Sequence, residues 1–203
     1  MPRRPRTPAA PEAPRLDEGG VEVGAEALVV GRELGEARLT DADLAGARLR
    51  GLRLTDVSLR RGDLANAVAP ESSWRRVEVL GVRLTGIELT RARIADAAFR
   101  DCRIDLATFA GATLERVAFE DCVLAQAELR DVLLRAVRLE RCDLTEVDLT
   151  GARIDGCELR GCLIDGVVGL ERLRGAAMPW ADVVGNAGLF AAALGIRVLD
   201  DGE

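Results

Sequence analysis

The chain has 203 residues, a formal net charge of −6 and no histidine. This acidic balance disfavours a general nucleic-acid-binding protein, which usually carries a basic surface, so no direct nucleic-acid binding is expected. The lack of histidine removes the side chain most often used as a general base, a metal ligand or a pH switch.

The first 20 residues contain five of the seven prolines and four arginines. A segment of this composition buries too little apolar surface to offset the entropy lost on ordering. The sequence therefore predicts a disordered Pro/Arg-rich tail over residues 1–20. A basic arm that touches DNA or a membrane is the alternative, although Glu12, Asp17 and Glu18 dilute its positive charge.

A membrane-spanning segment needs roughly 18 or more consecutive apolar residues, and the sequence contains no such run. It also lacks the apolar core of a signal peptide. We therefore expect a soluble, cytoplasmic protein with no membrane partner.

An apolar residue occurs at every fifth position from residue 34 to residue 164, and it is Leu, Ile or Phe at 24 of the 27 positions. The column begins Leu34, Leu39, Leu44, Leu49 and ends Leu149, Ile154, Leu159, Ile164. An α-helix has a period of 3.6 residues and a half-buried strand has a period of two, so neither produces a strict period of five. The pattern instead indicates a solenoid in which each five-residue unit forms one wall.

A second column of small or β-branched residues lies two positions before each bulky residue. Ala42, Cys102 and Val147 are examples, and the other three positions of each unit are mostly polar. One large and one small inward residue per unit predict a coil of four units, in which positions 20 apart stack directly above one another. Residues 21–33 precede this frame and are expected to cover the open end, because a terminal coil would otherwise expose its core and its strand edge.

Several units repeat one short signature. Three of them are Ala42-Asp43-Leu44-Ala45-Gly46, Cys142-Asp143-Leu144-Thr145-Glu146 and Ala152-Arg153-Ile154-Asp155-Gly156. They resemble the A(D/N)LXX signature of the pentapeptide-repeat family. The resemblance implies an all-β solenoid over residues 21–166, a right-handed quadrilateral parallel β-helix of about seven coils.

All five cysteines occupy the small inward column. Cys102, Cys122, Cys142 and Cys162 are 20 residues apart and should stack on one wall, with Cys157 on the adjacent wall. Neither a CxxC pair nor tetrahedral spacing is present, so buried free thiols are expected rather than a metal or redox site. Buried free thiols also agree with a reducing compartment.

The frame weakens between Ala69 and Trp74. Pro70 lacks a donor for the neighbouring coil, and Trp74 is large for an inward position. The sequence predicts a distorted corner with Trp74 partly exposed. A bulged recognition site on one face is the alternative.

The five-residue frame ends after Ile164, and residues 167–203 are predicted to form a short helical cap. Pro179 suits the start of a helix, while Asn186 and Gly195 suit the two ends of a second one. This element should cover the final coil or pair two rods end to end as a homodimer. The side chains expected to do so are Trp180, Val183, Ala187, Phe190, Ala191 and Leu194.

One wall of the predicted coil is more acidic than the others. Its outward carboxylates are Asp43, Asp63, Asp105, Asp143, Glu146 and Asp165. Only Arg83 and Arg103 oppose them on this wall. We expect this acidic wall to be the partner-binding surface.

The resemblance also implies a class of function. Some pentapeptide-repeat proteins protect DNA gyrase and topoisomerase IV from inhibitors by mimicking DNA, which suggests the same partners for this chain. A generic scaffold that presents flat walls to another protein is the second hypothesis, favoured by outward apolar residues such as Leu106 and Leu163. We expect a non-enzymatic protein without a catalytic residue, cofactor or metal.

Overall fold

A computed structural model of the chain describes residues 8–16, 21–31 and 33–199. Residues 1–7 and 17–20 of the predicted tail lie outside the described residues, as do the last four residues, 200–203.

Short parallel strands make up most of the described chain. The strands are β1 (Val21–Glu22), β2 (Glu33–Thr40), β3 (Arg53–Arg60), β4 (Ser73–Leu80), β5 (Arg93–Arg100), β6 (Thr113–Glu120), β7 (Leu133–Arg135), β8 (Arg138–Glu140), β9 (Arg153–Asp155) and β10 (Glu158–Arg160). The helices are α1 (Glu26–Gly31), α2 (Trp180–Gly185) and α3 (Ala187–Ala193), and a 3-10 turn spans Leu170–Leu173.

From β2 onward the strands pair in parallel with a constant register of 20 residues. Leu34 pairs with Leu54, Leu54 pairs with Trp74, and Phe99 pairs with Phe119. Isolated bridges such as Asp43 with Asp63 continue the same register outside the strands. The predicted fold class, a quadrilateral parallel β-helix of about seven coils, is confirmed.

The coil has four walls, which we number in chain order from the unit centred on Leu44. Wall one is centred on Leu44, Leu64, Leu84, Ile104, Leu124, Leu144 and Ile164. Wall two is centred on Leu49, Ala69, Leu89, Phe109, Leu129 and Leu149. Wall three is centred on Leu34, Leu54, Trp74, Ile94, Leu114, Leu134 and Ile154. Wall four is centred on Leu39, Leu59, Val79, Phe99, Phe119, Leu139 and Leu159.

The corners between walls are made by residues in the left-handed backbone region. Every fifth residue from Glu36 to Gly166 has a positive φ, and 18 of these residues are not glycine. On walls one and two, hydrogen bonds such as the one from Ala47 N–H to Leu44 O (3.0 Å) close a turn around the corner. A positive φ at the third residue of a four-residue turn is the geometry of a type II turn.

The core is a ladder of inward side chains from the two columns. Phe99 stacks on Phe119 with ring centroids 4.9 Å apart. Cys102, Cys122, Cys142 and Cys157 are buried, and Cys162 is half-buried at the last coil. Burial raises the pKa of Cys157 to about 11, so this thiol remains protonated at neutral pH. The predicted inward positions of the cysteines are confirmed.

Trp74 is fully buried, so the prediction of a partly exposed tryptophan is wrong. Its coil makes room for it, because the inward positions around it hold Ala69, Ser72 and Val79 instead of larger residues. The indole stacks on Phe99 with ring centroids 6.2 Å apart.

Pro70 distorts nothing at this corner. It precedes Glu71, whose φ is 60°, and proline suits that place in a type II turn. The equivalent N–H groups of Arg50, Thr90 and Ala110 donate no backbone hydrogen bond in the described structure. The donor that proline lacks is therefore one that this position does not use.

Both ends of the rod are covered. At the N-terminal end, α1 inserts the fully buried Leu28 into the core. At the C-terminal end, Leu189 and Phe190 of α3 pack against the last coil. Asp182 ties α2 to that coil, since its carboxylate accepts a hydrogen bond from Gly161 N–H at 2.6 Å.

The sequence suggested that the side chain of Asn186 caps α3, but in the structure it does not. Its Nδ2 donates to the carbonyl of Asp182 at 2.8 Å, and the residue makes no side-chain cap bond at the start of α3. Asn186 therefore closes α2 instead. The predicted second helix from Ala187 is confirmed to within one residue of its end.

Residues 8–16, which we call the N-terminal strap, lie in extended form along the outside of wall four. Arg15 N–H donates to Asp56, Glu12 N–H donates to Asp96, and Arg138 donates to the carbonyl of Pro8. The prediction of disorder is wrong for these nine residues, because composition alone does not reveal partners on a distant surface.

The corner geometry predicts that glycine at position 136 stabilises the protein. Ala136 has a φ of 52°, and a left-handed conformation costs a non-glycine residue roughly 1 kcal/mol. We expect Ala136→Gly to raise the free energy of unfolding by up to about 1 kcal/mol, measured by urea denaturation.

Ala125→Gly is the matched control, because Ala125 is also half-buried but lies outside the left-handed region. There glycine should lower stability by about 0.5–1 kcal/mol. Equal losses at both positions would contradict a left-handed penalty at the corners.

Candidate interaction surface

The six carboxylates of the predicted acidic wall lie along wall one in two groups, with Asp105 between them. Asp43 and Asp63 are in direct register near the N-terminal end. Asp143, Glu146 and Asp165 belong to the last two coils, next to the C-terminal cap. Asp105 lies between these two groups, and its carboxylate accepts a hydrogen bond from Thr85 at 2.8 Å.

Basic residues interrupt the acidic wall in its middle. The register places Arg83 and Arg103 directly after Asp63, followed by Val123 and then Asp143. Arg83 donates to Asp63 at 3.2 Å. Since coils are about 4.8 Å apart, Asp63 and Asp143 are roughly 19 Å apart along the rod, beyond a Debye length of about 8 Å at physiological salt. The wall therefore carries two acidic patches rather than one continuous field.

The C-terminal patch is the denser of the two. Asp143 accepts hydrogen bonds from the N–H and the hydroxyl of Thr145 at 2.9 Å and 2.6 Å. Glu146 accepts one from Gln126 at 2.7 Å. These neutral donors orient the carboxylates without neutralising them, so the patch formed by Asp143, Glu146 and Asp165 keeps its negative charge.

Ion pairs also form at the corners of the coil. Arg61 donates to Asp41 at 2.9 Å, and Arg141 donates to Asp121 at 2.7 Å. These hydrogen bonds hold the pKa of Asp41 and of Asp121 below the ordinary value. Both pairs are largely open to solvent, where an ion pair contributes little to stability. They neutralise two of the carboxylates on the edge between walls four and one.

The predicted residues of the cap divide into two groups. Val183, Phe190 and Ala191 are half-buried, and Phe190 packs against the core. Trp180 and Leu194 point outward and are 78% and 73% exposed; Ala187 is also exposed.

Further apolar side chains extend this exposed surface. Val184, Ile196, Val198 and Leu199 are each more than half exposed. A folded chain rarely leaves so many large apolar side chains in one short segment without a covering partner. The element thus covers the last coil and still presents an apolar surface, which we call the apolar end.

A third surface was not anticipated from the sequence. On the corner between walls three and four, Asp56 accepts from Arg76 at 2.6 Å and Asp96 accepts from Arg116 at 2.7 Å. Asp56, Arg76 and Asp96 point outward, yet they are only 6%, 6% and 7% exposed. The N-terminal strap covers them.

The rest of the strap packs on small outward side chains of wall four. Ser58, Ala98 and Ala118 are buried although they face away from the core. Together with the strap they leave walls one, two and three as the open sides of the rod.

No group of three or more His, Cys, Asp or Glu side chains among residues 8–16, 21–31 and 33–199 could hold a metal ion. No helix within these ranges is long and apolar enough to cross a membrane.

Comparison with solved structures finds other repeat rods. Two trypsin-treated forms of QnrB1, a plasmid-mediated fluoroquinolone resistance protein, are 16% and 18% identical to the chain. Their alignments cover 89% and 93% of this chain and 100% and 94% of the QnrB1 chains, with TM-scores of 0.44 and 0.46.

HetL, a pentapeptide repeat protein involved in heterocyst differentiation regulation from the cyanobacterium Nostoc sp. strain PCC 7120, is 21% identical. Its alignment covers 79% of this chain and 90% of HetL, with a TM-score of 0.23. No curated protein matches the sequence.

Comparison with family models covers nearly the whole rod. A model described as pentapeptide repeats (8 copies) matches residues 33–68. A model described as a pentapeptide repeat region matches residues 72–149 and 92–168. These matches span the same residues whose five-residue frame and 20-residue register form the four walls. The chain belongs to the pentapeptide-repeat family.

Proposed function

We propose that the chain is a non-enzymatic interaction rod that binds a cytoplasmic protein partner through wall one. The observation that carries this proposal is the C-terminal acidic patch of Asp143, Glu146 and Asp165, in which neutral donors orient the carboxylates of Asp143 and Glu146. A flat charged wall favours electrostatic steering of a partner with a basic surface. The unpaired thiols of the core fit the reducing conditions of the cytoplasm.

The partner proposed is DNA gyrase or topoisomerase IV, protected from inhibitors by a rod that occupies a DNA-binding surface. Membership of the pentapeptide-repeat family supports this choice, since some members act in this way. An enzyme that holds DNA presents a basic channel to its substrate, and the acidic patches match that charge. The interruption by Arg83 and Arg103 confines the match to the two ends of wall one.

Homodimerisation through the apolar end would extend the acidic surface. Trp180 and Leu194 are the most exposed large apolar residues of this element, and their burial against a second copy would remove apolar surface from water. The C-terminal acidic patch lies in the adjacent coils. Pairing two rods end to end would therefore bring two such patches close to the dimer axis.

A generic scaffold is the second candidate. Leu106 and Leu163 are outward residues on or beside wall one and are 54% and 57% exposed. An apolar contact with an unrelated protein would use these residues and would depend little on the acidic patch.

A supercoiling assay with DNA gyrase, with and without ciprofloxacin, tests the proposed partner. We expect the protein to inhibit supercoiling or to protect gyrase from the drug. Asp143→Asn/Glu146→Gln should weaken that effect at least about three-fold, because it removes charge from the steering surface. Glutamine at position 146 is compatible with the backbone, since Gln126 occupies the same corner column with a φ of 59°.

Glu88→Gln/Glu128→Gln is the matched control, since it changes the net charge equally on wall two. It should leave the effect on gyrase nearly intact. No inhibition and no protection at a stoichiometric excess would reject gyrase as the partner. Equal losses from both double variants would reject wall one as the contact.

Light scattering tests the dimer. At micromolar concentration we expect a mass of twice the 21.7 kDa of one chain. Trp180→Ser/Leu194→Ser should convert it to the single-chain mass by removing the apolar contact. The control Val68→Ser/Leu106→Ser removes exposed apolar residues of earlier coils, away from the cap, and should leave the dimer intact. A single-chain mass for the unaltered protein would disprove the proposal.

A further inference from the structure

The first 14 residues, which include most of the N-terminal strap, have a strict sequence period of three. Proline stands at positions 2, 5, 8, 11 and 14. A polyproline II helix has three residues per turn, so prolines spaced in this way lie on one side of it. In the strap, Pro8 is buried and Pro11 and Pro14 are half-buried, whereas Ala9, Ala10 and Ala13 are exposed. The prolines therefore face wall four.

The residue that follows a proline provides the hydrogen bond to the rod. Glu12 follows Pro11 and donates its N–H to Asp96 at 3.5 Å. Arg15 follows Pro14 and donates its N–H to Asp56 at 2.9 Å. These two donors are three residues apart, which is about 9.3 Å along a polyproline II helix.

The acceptors on the rod have the same spacing. Asp56 and Asp96 are 40 residues apart, and 40 residues are two coils, or about 9.6 Å. The intervening residue of the column is Arg76, which cannot accept a hydrogen bond. From Asp56 to Arg116 the alternation of Asp and Arg thus places one acceptor in every second coil, and that interval matches one turn of polyproline II.

The surface beneath the prolines completes a groove. Pro11 and Pro14 share a cavity with Ala98 and Ala118, whose small side chains leave room for the proline rings, and Glu78 lies beside them. At the far end, Arg138 donates to the carbonyl of Pro8 at 3.0 Å. The groove therefore recognises backbone N–H groups, a backbone carbonyl and rings at a fixed interval.

The structure assigns to wall four a binding groove for a polyproline II segment that has proline at every third residue, with the N-terminal strap as its intramolecular occupant. A copy of this segment supplied in trans competes for the same groove. The assignment is independent of any contact with gyrase, since it concerns a different wall.

Exchange of the strap is feasible because the covered charges remain paired without it. The matched pair Asp121–Arg141 on an uncovered corner is about half exposed, with side chains 47% and 54% accessible. Asp56–Arg76 and Asp96–Arg116 would reach the same state on release of the strap, each carboxylate still bound by its arginine. Release of the strap therefore leaves no charged side chain without its partner. A buried charge without a partner would be costly.

The test uses the full-length chain with Glu12→Pro/Arg15→Pro, which removes both strap donors but preserves the net charge and the polyproline II conformation. A fluorescein-labelled peptide of residues 1–20 is titrated into it and followed by anisotropy. We expect saturable binding. Binding to the unaltered chain should be at least about ten-fold weaker, because a tethered strap has an effective concentration in the millimolar range.

Three controls separate groove binding from charge attraction. The peptide carrying Glu12→Pro/Arg15→Pro has the same net charge and should not bind. The chain carrying Ala10→Pro/Ala13→Pro keeps both donors and should exclude the peptide as the unaltered chain does.

The third control alters the groove itself in the strap-released chain. Adding Asp56→Gly/Asp96→Gly should abolish binding, and glycine is tolerated because Gly156 occupies the same corner column with a φ of 66°. Adding Asp41→Gly/Asp121→Gly removes the equivalent exposed pairs and should leave binding unchanged. Circular dichroism confirms that each variant is folded.

Saturable binding that is lost with Asp56→Gly/Asp96→Gly supports the groove. Absence of binding up to about 1 mM peptide, the range of the effective concentration of a tether, overturns it. Binding that survives Asp56→Gly/Asp96→Gly overturns it equally, since the peptide would then be held elsewhere.

Discussion

The residue at each corner of the coil adopts a positive φ, and the remaining architecture depends on this conformation. It turns the chain after every five residues without a break in the parallel ladder, from Glu36 to Gly166. Glycine accepts this backbone freely, but most corners hold Asp, Arg, Glu or another non-glycine residue. Each of these costs about 1 kcal/mol, which the continuous apolar core and the ladder of backbone hydrogen bonds offset.

Exact stacking of corners has a second consequence, because each corner side chain lies directly above the one 20 residues earlier. Where Asp and Arg alternate, as in Asp56 and Arg76, an ion pair forms between adjacent coils. Where glycine interrupts the column, as at Gly81 between Arg61 and Asp101, the pairing stops. The order of residues along a column therefore determines both the local charge and the spacing of hydrogen-bond acceptors. That spacing is a property of the rod as a whole and of no single repeat.

The repeat made much of the fold predictable, since a strict period fixes which residues face inward. The inward positions of the cysteines followed directly from it. Trp74 was misjudged because its size was weighed alone. Its burial depends on Ala69, Ser72 and Val79, which come from three different walls of the same coil. The large volume of Trp74 is compensated by small side chains elsewhere in the same coil. A comparison of residues within one column does not reveal this compensation, because the small side chains belong to other columns.

The surface was less predictable than the core. The acidic residues of wall one could be assigned from the 20-residue register, but the order that separates Asp63 from Asp143 by two arginines decides how far their field extends. The strap was not predicted because the expectation for residues 1–20 rested on amino-acid composition, which ignores the sequence in which the residues follow one another. The three-residue spacing of the prolines was the available signal, and it gains meaning only beside the two-coil spacing of Asp56 and Asp96.

Occupation of wall four by the strap bears on how this rod meets other proteins. A four-walled rod without a strap would present four similar flat sides, and charge alone would have to select among them. Here Pro8, Pro11 and Pro14 cover one side and bury its ion pairs, so an approaching partner meets walls one, two and three. Wall one differs from the other two by its acidic ends, and its C-terminal patch adjoins the apolar end. For the partner proposed above, the orientation on the rod would follow from two independent features: one side closed by the chain itself, and one end marked by charge and exposed apolar surface.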